Sequence, residues 1–581
     1  MNTELPAGIY PFWFWNDRLK KKEIKWQIAQ MAKQRIRGFY IHPRQGLGQP
    51  YLSDAFFEMV DAALAAADEN DITVHLYDEY PYPSGIAGGE VVMGEPEFHA
   101  TKLYQNVWDV AGGETRLELP PGRVLSAQAY PMENDQVDWG NKLDLMTCIG
   151  TVLSRESYVE TGLTAYSRKR YFASDPSPVL ETTLPSSPHR IFITIQVEVR
   201  GHKYWDHFAD VMNPKAVKKF LEFTHQRYGS RYANLFGSEI QSVFVDETVP
   251  RWSTRIPSIF EQRYGYDIRD NFPASQDPSH PDHLQVKNDL QNVLFDTFCK
   301  SFEKTVSKWC AQNDLLYAGE KPSTRMSQLQ WMDIPGGDPG HFKAGSAPDI
   351  LKARPRQNAR TLASAAYFYG KPGALAECYH SLGWGGTLQD AKIIGESLLW
   401  AGMRYLVPHG FFYSTHALRK HDAPPSFFFQ MPYWKHFGRL AERFENILSR
   451  FEDTHINAGI LVVEPSPHQP TEEDKRTYEQ IINSLVEQHF DFLMADTDIL
   501  QSGSVEEGLF KIRDLNIRAV IVPPVRFLEK SLHQRLKTFE ENGIRVLWCE
   551  TPLNETNFID ELSRVTHPAL KLQADSGAEK I

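Results

Sequence analysis

Cysteine is scarce in this sequence, and its spacing rules out the usual uses. Five residues (Cys148, Cys299, Cys310, Cys378, Cys549) are scattered through 581 positions, odd in number and without any C-x-x-C pair. That excludes a disulfide scaffold or a cysteine zinc site and points to a reducing compartment. Long apolar runs are also missing: nothing approaches the roughly 20 residues needed to cross a bilayer. Met1 to Gly8 is polar, and Ile9 to Trp15 is short and has no basic segment before it, so no signal peptide is read. Positive charge is outweighed, with 62 basic against 74 acidic residues and a formal net charge of -12. No nucleic-acid or membrane partner is expected, and a cytoplasmic location is. Glycine-rich phosphate motifs and G-x-S-x-G are absent as well.

What the chain does contain is an alternation of short apolar strands and amphipathic helices, with polar groups where the strands end. Tyr10 to Trp15 reads as a first strand, followed by Asn16. The others are expected at Phe39–Ile41, Ile72–Tyr77, Val243–Val245, Leu315–Ala318, Gln328–Met332, Ala374–Ala376 and Met403–Val407. They end in His42, in Asp78-Glu79, in Asp246-Glu247, in Glu320, in Asp333, in Glu377 and in His409, respectively. For Asp246-Glu247 a helix cap is a competing explanation, but the recurrence of the pattern favours chemistry. A basic helix face (Lys352, Arg354, Arg356, Arg360) is read as solvated surface.

The fold class expected is α/β: a (β/α)8 barrel with a β-rich insertion, followed by a doubly wound, flavodoxin-like α/β domain. The barrel is assigned to residues 1–100 and 202–452, the insertion to 101–201, where alternating runs such as R-I-F-I-T-I-Q-V-E-V are separated by Pro/Gly/Ser turns. The second α/β domain is assigned to 456–563, and lacking phosphate or nucleophile motifs it is given a subunit-organising role, hence an expected homo-oligomer. Residues 564–581 read as a tail, the start of a further β-sandwich.

A barrel mouth carrying this many carboxyl groups keeps at least one protonated near neutrality. Glycoside hydrolysis needs that combination, one carboxylic acid and one carboxylate flanking the scissile bond. Glu247 and Glu377, on strands four and seven, are the catalytic candidates. His42, Asp78, Glu79, Tyr80, Asp246, Glu320, Asp333, Tyr379, Trp384, His409 and Tyr413 are candidates to bind an oligosaccharide substrate. A metal-dependent barrel hydrolase would show H-x-H on the first strand, and none is there. No cofactor is expected, although a carboxylate-lined Ca²⁺ site leaves no spacing signature by which to exclude it.

The runs P-F-W-F-W-N, Y-D-E-Y-P-Y-P-S-G, V-F-V-D-E-T, Q-R-Y-G-Y-D-I, W-M-D-I-P-G-G-D, A-E-C-Y-H-S-L-G-W-G and L-V-P-H-G-F-F-Y-S resemble those of bacterial glycoside hydrolases similar to α-L-rhamnosidases. The resemblance spans residues 9 to about 450, and the following α/β domain resembles the oligomerisation domain of certain barrel β-galactosidases. It implies an inserted barrel with its acid on strand four, matching Glu247, and the function expected is that of an exo-acting glycoside hydrolase. Clan A barrel glycosidases add a partner on strand seven, matching Glu377; they commonly have Asn before the acid, where this chain has Asp246. The rhamnosidase-like resemblance implies inversion of configuration, and the clan pattern implies retention, as in a β-galactosidase-like enzyme. The alternative from another class is an inactive sugar-binding or assembly protein on the same scaffold.

Overall fold

The computed structural model describes residues 5–160, 169–202, 204–321, 325–340, 359–452, 454, 456–464 and 471–566. The chain forms two compact units, one of residues 1–91, 218–249 and 302–581, the other of residues 92–217 and 250–301. The unit built on the expected insertion thus also takes in segments on either side of it and a helical stretch after strand four. No helix among the described residues is long and apolar enough to cross a membrane.

The first unit is organised by a parallel sheet that closes on itself. Its strands are β1 (Gly8–Ile9 and Phe12–Trp15), β2 (Gly38–Pro43), β3 (Thr73–Tyr77), β4 (Ile240–Asp246), β5 (Leu316–Glu320), β6 (Ile334–Gly340), β7 (Ala374–Cys378) and β8 (Met403–Pro408, continued at Phe411–Phe412). Each neighbours the next in sequence order. Closure comes from two pairings of the interrupted first and eighth strands: Gly8 lies beside Tyr405, and Trp13 beside Phe411.

Both faces of these strands are buried, as an all-parallel sheet requires. In β1 the alternation is explicit. Tyr10, Phe12 and Phe14 join Tyr40, Tyr77, Phe244, Ala318, Ile334, Leu375, Tyr405 and Val407 in the core inside the barrel. Trp13 and Trp15 point the other way. Trp13 Nε1 donates to Gln27 on the helix Lys21–Lys33, and Trp15 packs edge-on against Phe56 on the helix Asp54–Asp68. Ser53 caps that second helix by accepting from the Phe56 N–H.

The sixth strand differs from expectation. Gln328–Met332 is not a strand: a short helix covers Met326–Leu329, and β6 begins only at Ile334. The run I-P-G-G-D-P-G looks like a turn, yet it is strand because small residues are needed there. A Cβ on Gly336 would sit 2.6 Å from the Gly319 carbonyl oxygen and 2.8 Å from Leu375. Lys352, Arg354 and Arg356 lie outside the described residues, and the helix there is Ala359–Phe368.

The same unit carries a second parallel sheet of β9 (Ile460–Val463), β10 (Phe492–Ala495), β11 (Ala519–Val522) and β12 (Arg545–Trp548), ordered β10-β9-β11-β12. This is the doubly wound order expected for a flavodoxin-like domain. The barrel helix Ala359–Phe368 meets it through Ser364 Oγ, which accepts from the Met494 N–H in β10. Of the expected tail, residues 567–581 lie outside the described residues.

The second unit is a small sandwich. One antiparallel sheet pairs Thr101–Val110, His189–Glu198 and Arg123–Glu133; the other pairs Ile149–Glu160, Lys169–Leu184 and Gly113–Glu118. Ala127, Ile191, Ile193 and Ile195 from one sheet meet Leu180 and Leu184 from the other.

The close approach at Gly336 is directly testable. Gly336→Ala is expected to destabilise the barrel by about 1–3 kcal/mol, the usual cost of overpacking, read as a lower urea midpoint. Gly385→Ala, where an added Cβ has open space, serves as the control.

Candidate active site

The inward alternation of the barrel strands, carried one step past the apolar core, generates the site. After Phe12 comes Phe14, and after Tyr40 comes His42. After Phe244 comes Asp246, after Ala318 comes Glu320, after Leu375 comes Glu377, and after Val407 comes His409. On β6 the inward series Ile334, Gly336 reaches Asp338. The register confirms the neighbours: Asp246 pairs with Glu320 across β4 and β5. Asp246, Glu320, Asp338 and Glu377 are all buried.

Three of these carboxyl groups lie close enough to share protons. Glu320 and Glu377 are hydrogen-bonded to each other, and Asp246 is bonded to Glu320. Two carboxyl oxygens can share a hydrogen bond only if one carries a proton. Burial pushes both glutamates well above the usual range, and the neighbouring carboxylates push the same way. Asp246 is raised to about 7, by burial first, while the Tyr77 hydroxyl donating to Oδ2 at 2.5 Å and the Arg44 charge act in the opposite sense.

Glu247 occupies a different position. It follows the inward-facing Asp246 in a left-handed backbone conformation, φ +45°, which turns the chain over the rim. Its N–H donates to the Glu320 carbonyl at 3.2 Å. Its carboxylate is half-buried and accepts a hydrogen bond from Tyr82. Glu247, Glu320 and Asp338 bring carboxylate oxygens within 4.8 Å of one another, a spacing at which they could hold one hard cation.

Several candidates do other work. Asp333 lies just before β6, at the opposite end of that strand from Asp338, where Oδ2 accepts from the Tyr317 N–H. Glu79 is fully buried, and its two oxygens accept from the N–H groups of Tyr80, Gly85, Ile86, Ala87 and Gly88, at 2.7–3.0 Å. It anchors a loop and has no oxygen turned to a ligand. Asp78 faces away from the barrel interior toward His225, 3.8 Å off, and accepts from Ser84 Oγ. The Tyr379 hydroxyl donates to the Ala391 carbonyl, and the Tyr413 hydroxyl accepts from the Lys20 N–H. Trp384 donates to the Lys420 carbonyl yet keeps 40% of its surface exposed, and Tyr80 packs on Tyr51.

The two histidines remain at the mouth. His42 stacks on Tyr77 at 3.7 Å and gives its Nδ1 proton to the Pro43 carbonyl, leaving Nε2 unpaired; burial holds it neutral. His409 packs edge-on against Phe14 and His380, with Nδ1 unpaired.

Sequence reasoning missed Arg44, Asp338, Glu303 and the role of Lys321. Arg44 lies 4.5 Å over the Phe14 ring and is clamped by two bonds to Asp422. Lys321 is buried on the outer side of β5, where Nζ donates to Thr248 at 2.8 Å and lies 3.3 Å from Glu303. Counting in steps of two from the apolar inward residues would have found Asp338; nothing in the sequence marks Glu303.

An acid whose pKa is raised by folding binds more protons folded than unfolded between the two values, so its contribution to stability is lost as pH rises. For Asp246 that window runs from the ordinary aspartate range to about 7. Wild-type urea midpoints should therefore fall between pH 5 and pH 8. In Asp246→Asn the fall should be smaller; an unchanged slope would remove Asp246 from the account.

No family model matches the sequence, and no curated protein matches it. Solved structures do. A rhamnosidase from Novosphingobium sp. PP1Y superposes with a TM-score of 0.63 at 14% identity, over 96% of this chain and 70% of that one. A β-galactosidase from the haloarchaeon Halorubrum lacusprofundi gives 0.53 at 12%, over 93% and 72%. A β-galactosidase from the psychrophile Marinomonas ef1 gives 0.51 at 8%, over 91% and 74%. At these identities the likeness is one of architecture: the chain has the fold of the glycoside-hydrolase barrels.

Proposed function

We propose that this protein is a glycoside hydrolase that removes a terminal sugar from an oligosaccharide, with Glu247 as general acid and Glu377 as its partner carboxylate. The observation that carries the reading is the close pairing of Glu320 with Glu377, buried at the same strand ends as the solvent-reachable Glu247, where burial raises both glutamates. Burying like charges is costly, and such clusters concentrate where acid and base must be kept ready. The solved structures that share the fold are named as a rhamnosidase and β-galactosidases, which supports the same class.

In this reading Glu247 protonates the leaving oxygen while Glu377, tuned by Glu320, holds water on the far face of the sugar. The result is inversion. Asp246 and Asp338 bear on the charge of that pair, and His42 and His409 offer neutral ring nitrogens to sugar hydroxyls. The second α/β domain organises subunits, as its lack of phosphate or nucleophile motifs suggests, and light scattering should find more than one copy per particle.

Glu247→Gln should lower turnover by roughly 10²- to 10⁴-fold, the usual worth of a positioned acid. Aryl glycosides with good leaving groups, which need little protonation, should lose less; equal losses on both would count against the assignment. The first-formed anomer, followed by NMR, distinguishes the mechanisms. Release with the substrate's own configuration would make Glu377 a nucleophile. If no glycoside in a nitrophenyl panel turns over while sugars still bind, the scaffold is a binding protein.

A further inference from the structure

The second unit contains a cluster that the glycosidase reading does not use. His99, Glu198 and His207 come from three chain segments held side by side by backbone bonds one residue further on. The Ala100 N–H donates to the Phe208 carbonyl at 2.7 Å, and the Val199 N–H donates to the Ala100 carbonyl at 2.8 Å. These backbone bonds hold the segments together without the three side chains of the cluster. Each of the three residues projects at the same level.

The ring nitrogens are prepared as ligands. His99 Nε2 lies 3.1 Å from the Val92 carbonyl, which can only accept, so Nε2 carries a proton and Nδ1 is the nitrogen that offers a lone pair in the neutral ring. A second-sphere carbonyl on the far nitrogen is the usual companion of a metal-binding imidazole. His99 Nδ1 and His207 Nδ1 are both buried atoms without a hydrogen-bond partner. Both face Glu198, at 3.5 Å from Oε1 and 3.6 Å from Oε2. The two rings stack at 3.8 Å with 19° between planes. All three ligand atoms lie within 4.8 Å of one another.

Tetrahedral zinc with bonds of about 2.0–2.1 Å separates its ligand atoms by about 3.3 Å; the two nitrogen–oxygen gaps are near that spacing, and the stacked rings must turn to aim both Nδ1 lone pairs at one ion. Glu198 also pairs with Arg200 at 3.1 Å, and Arg200 lies 3.6 Å from Asp206. Arg200 therefore shares Oε2 with His207 and leaves Oε1, the oxygen nearer His99, to an ion. A cleft of about 800 Å³, lined in part by His99, Glu198, Arg123 and Thr254, opens beside the cluster.

We propose that His99 Nδ1, His207 Nδ1 and the Glu198 carboxylate bind one borderline divalent cation of the zinc type, with a fourth position open to this cleft. Imidazole nitrogen with a single carboxylate selects such an ion over Ca²⁺ or Mg²⁺, which demand oxygen ligands. The ion would clasp three segments of the sandwich unit that are joined otherwise by backbone bonds and by the contacts of Asp206 with Arg200 and the Gly201 N–H.

The test uses the full chain, stripped with a chelator and titrated with Zn²⁺ by calorimetry and with Co²⁺ by visible absorption. Wild type should take up one equivalent, show tetrahedral Co²⁺ bands and melt at higher temperature with Zn²⁺. The double variant His99→Ala/His207→Ala should lose the bands, the equivalent and the shift in melting temperature. Circular dichroism of its metal-free form should match metal-free wild type. Glu198→Gln should weaken binding, and Glu320→Gln in the barrel should leave it intact. Failure of wild type to bind an equivalent, or retention of that equivalent in the double variant, overturns the proposal. So does loss of it in Glu320→Gln.

Discussion

The alternation of side chains along eight parallel strands is the constraint on which the rest depends. Closure between β1 and β8 fixes which residues face inward, because a slip of one would send every aromatic of the core outside. Once Phe12, Phe244, Ala318 and Leu375 are inside, Asp246, Glu320 and Glu377 have no choice but to converge two residues later. The crowding of carboxyl groups is therefore a consequence of register. It is tolerable because protons are shared among them and because Tyr77 and Arg44 favour the Asp246 carboxylate.

The outer side of β5 carries the matching positive charge. Tyr317 and Lys321 face out and meet Glu303, which also accepts from Gln328. Replacing a buried pair of this kind with apolar groups is often neutral for stability, so stability alone is a weak account of it. Position explains more: Lys321 bonds Thr248, the residue after Glu247. The buried network thus holds the rim segment whose left-handed turn presents Glu247.

The barrel, its sandwich insertion and the following α/β domain were legible because strand and helix periods differ and because buried parallel strands are short apolar runs. The site was legible where a strand's apolar stretch runs straight into its carboxylate, as in V-F-V-D-E and A-L-A-E. It failed where strand residues were small. In I-P-G-G-D the glycines that let β5, β6 and β7 approach also erase the hydrophobic signal, so Asp333 was taken for the strand end and Asp338 passed over. Tyrosine hydroxyls were over-assigned for a related reason: aromatic loops near a mouth look alike in sequence whether they meet solvent or, as with Tyr379, a helix carbonyl.

The segment Asp78 to Gly88 shows how such residues contribute without touching a ligand. Glu79 gathers the N–H groups of the loop onto one carboxylate. Ser84 joins Asp78 to the backbone of Asp246, donating to the first and accepting from the second. Between these two anchors the loop carries Tyr82, whose hydroxyl reaches Glu247. A carboxylate anchored by five N–H groups cannot rotate to meet a sugar without leaving those donors unpaired, at about 1–3 kcal/mol each. Asp78 and Glu79 therefore act on Glu247 through Tyr82, and the adjacent acidic pairs after β3 and β4 have unlike roles because the chain leaves the sheet one residue earlier on β3.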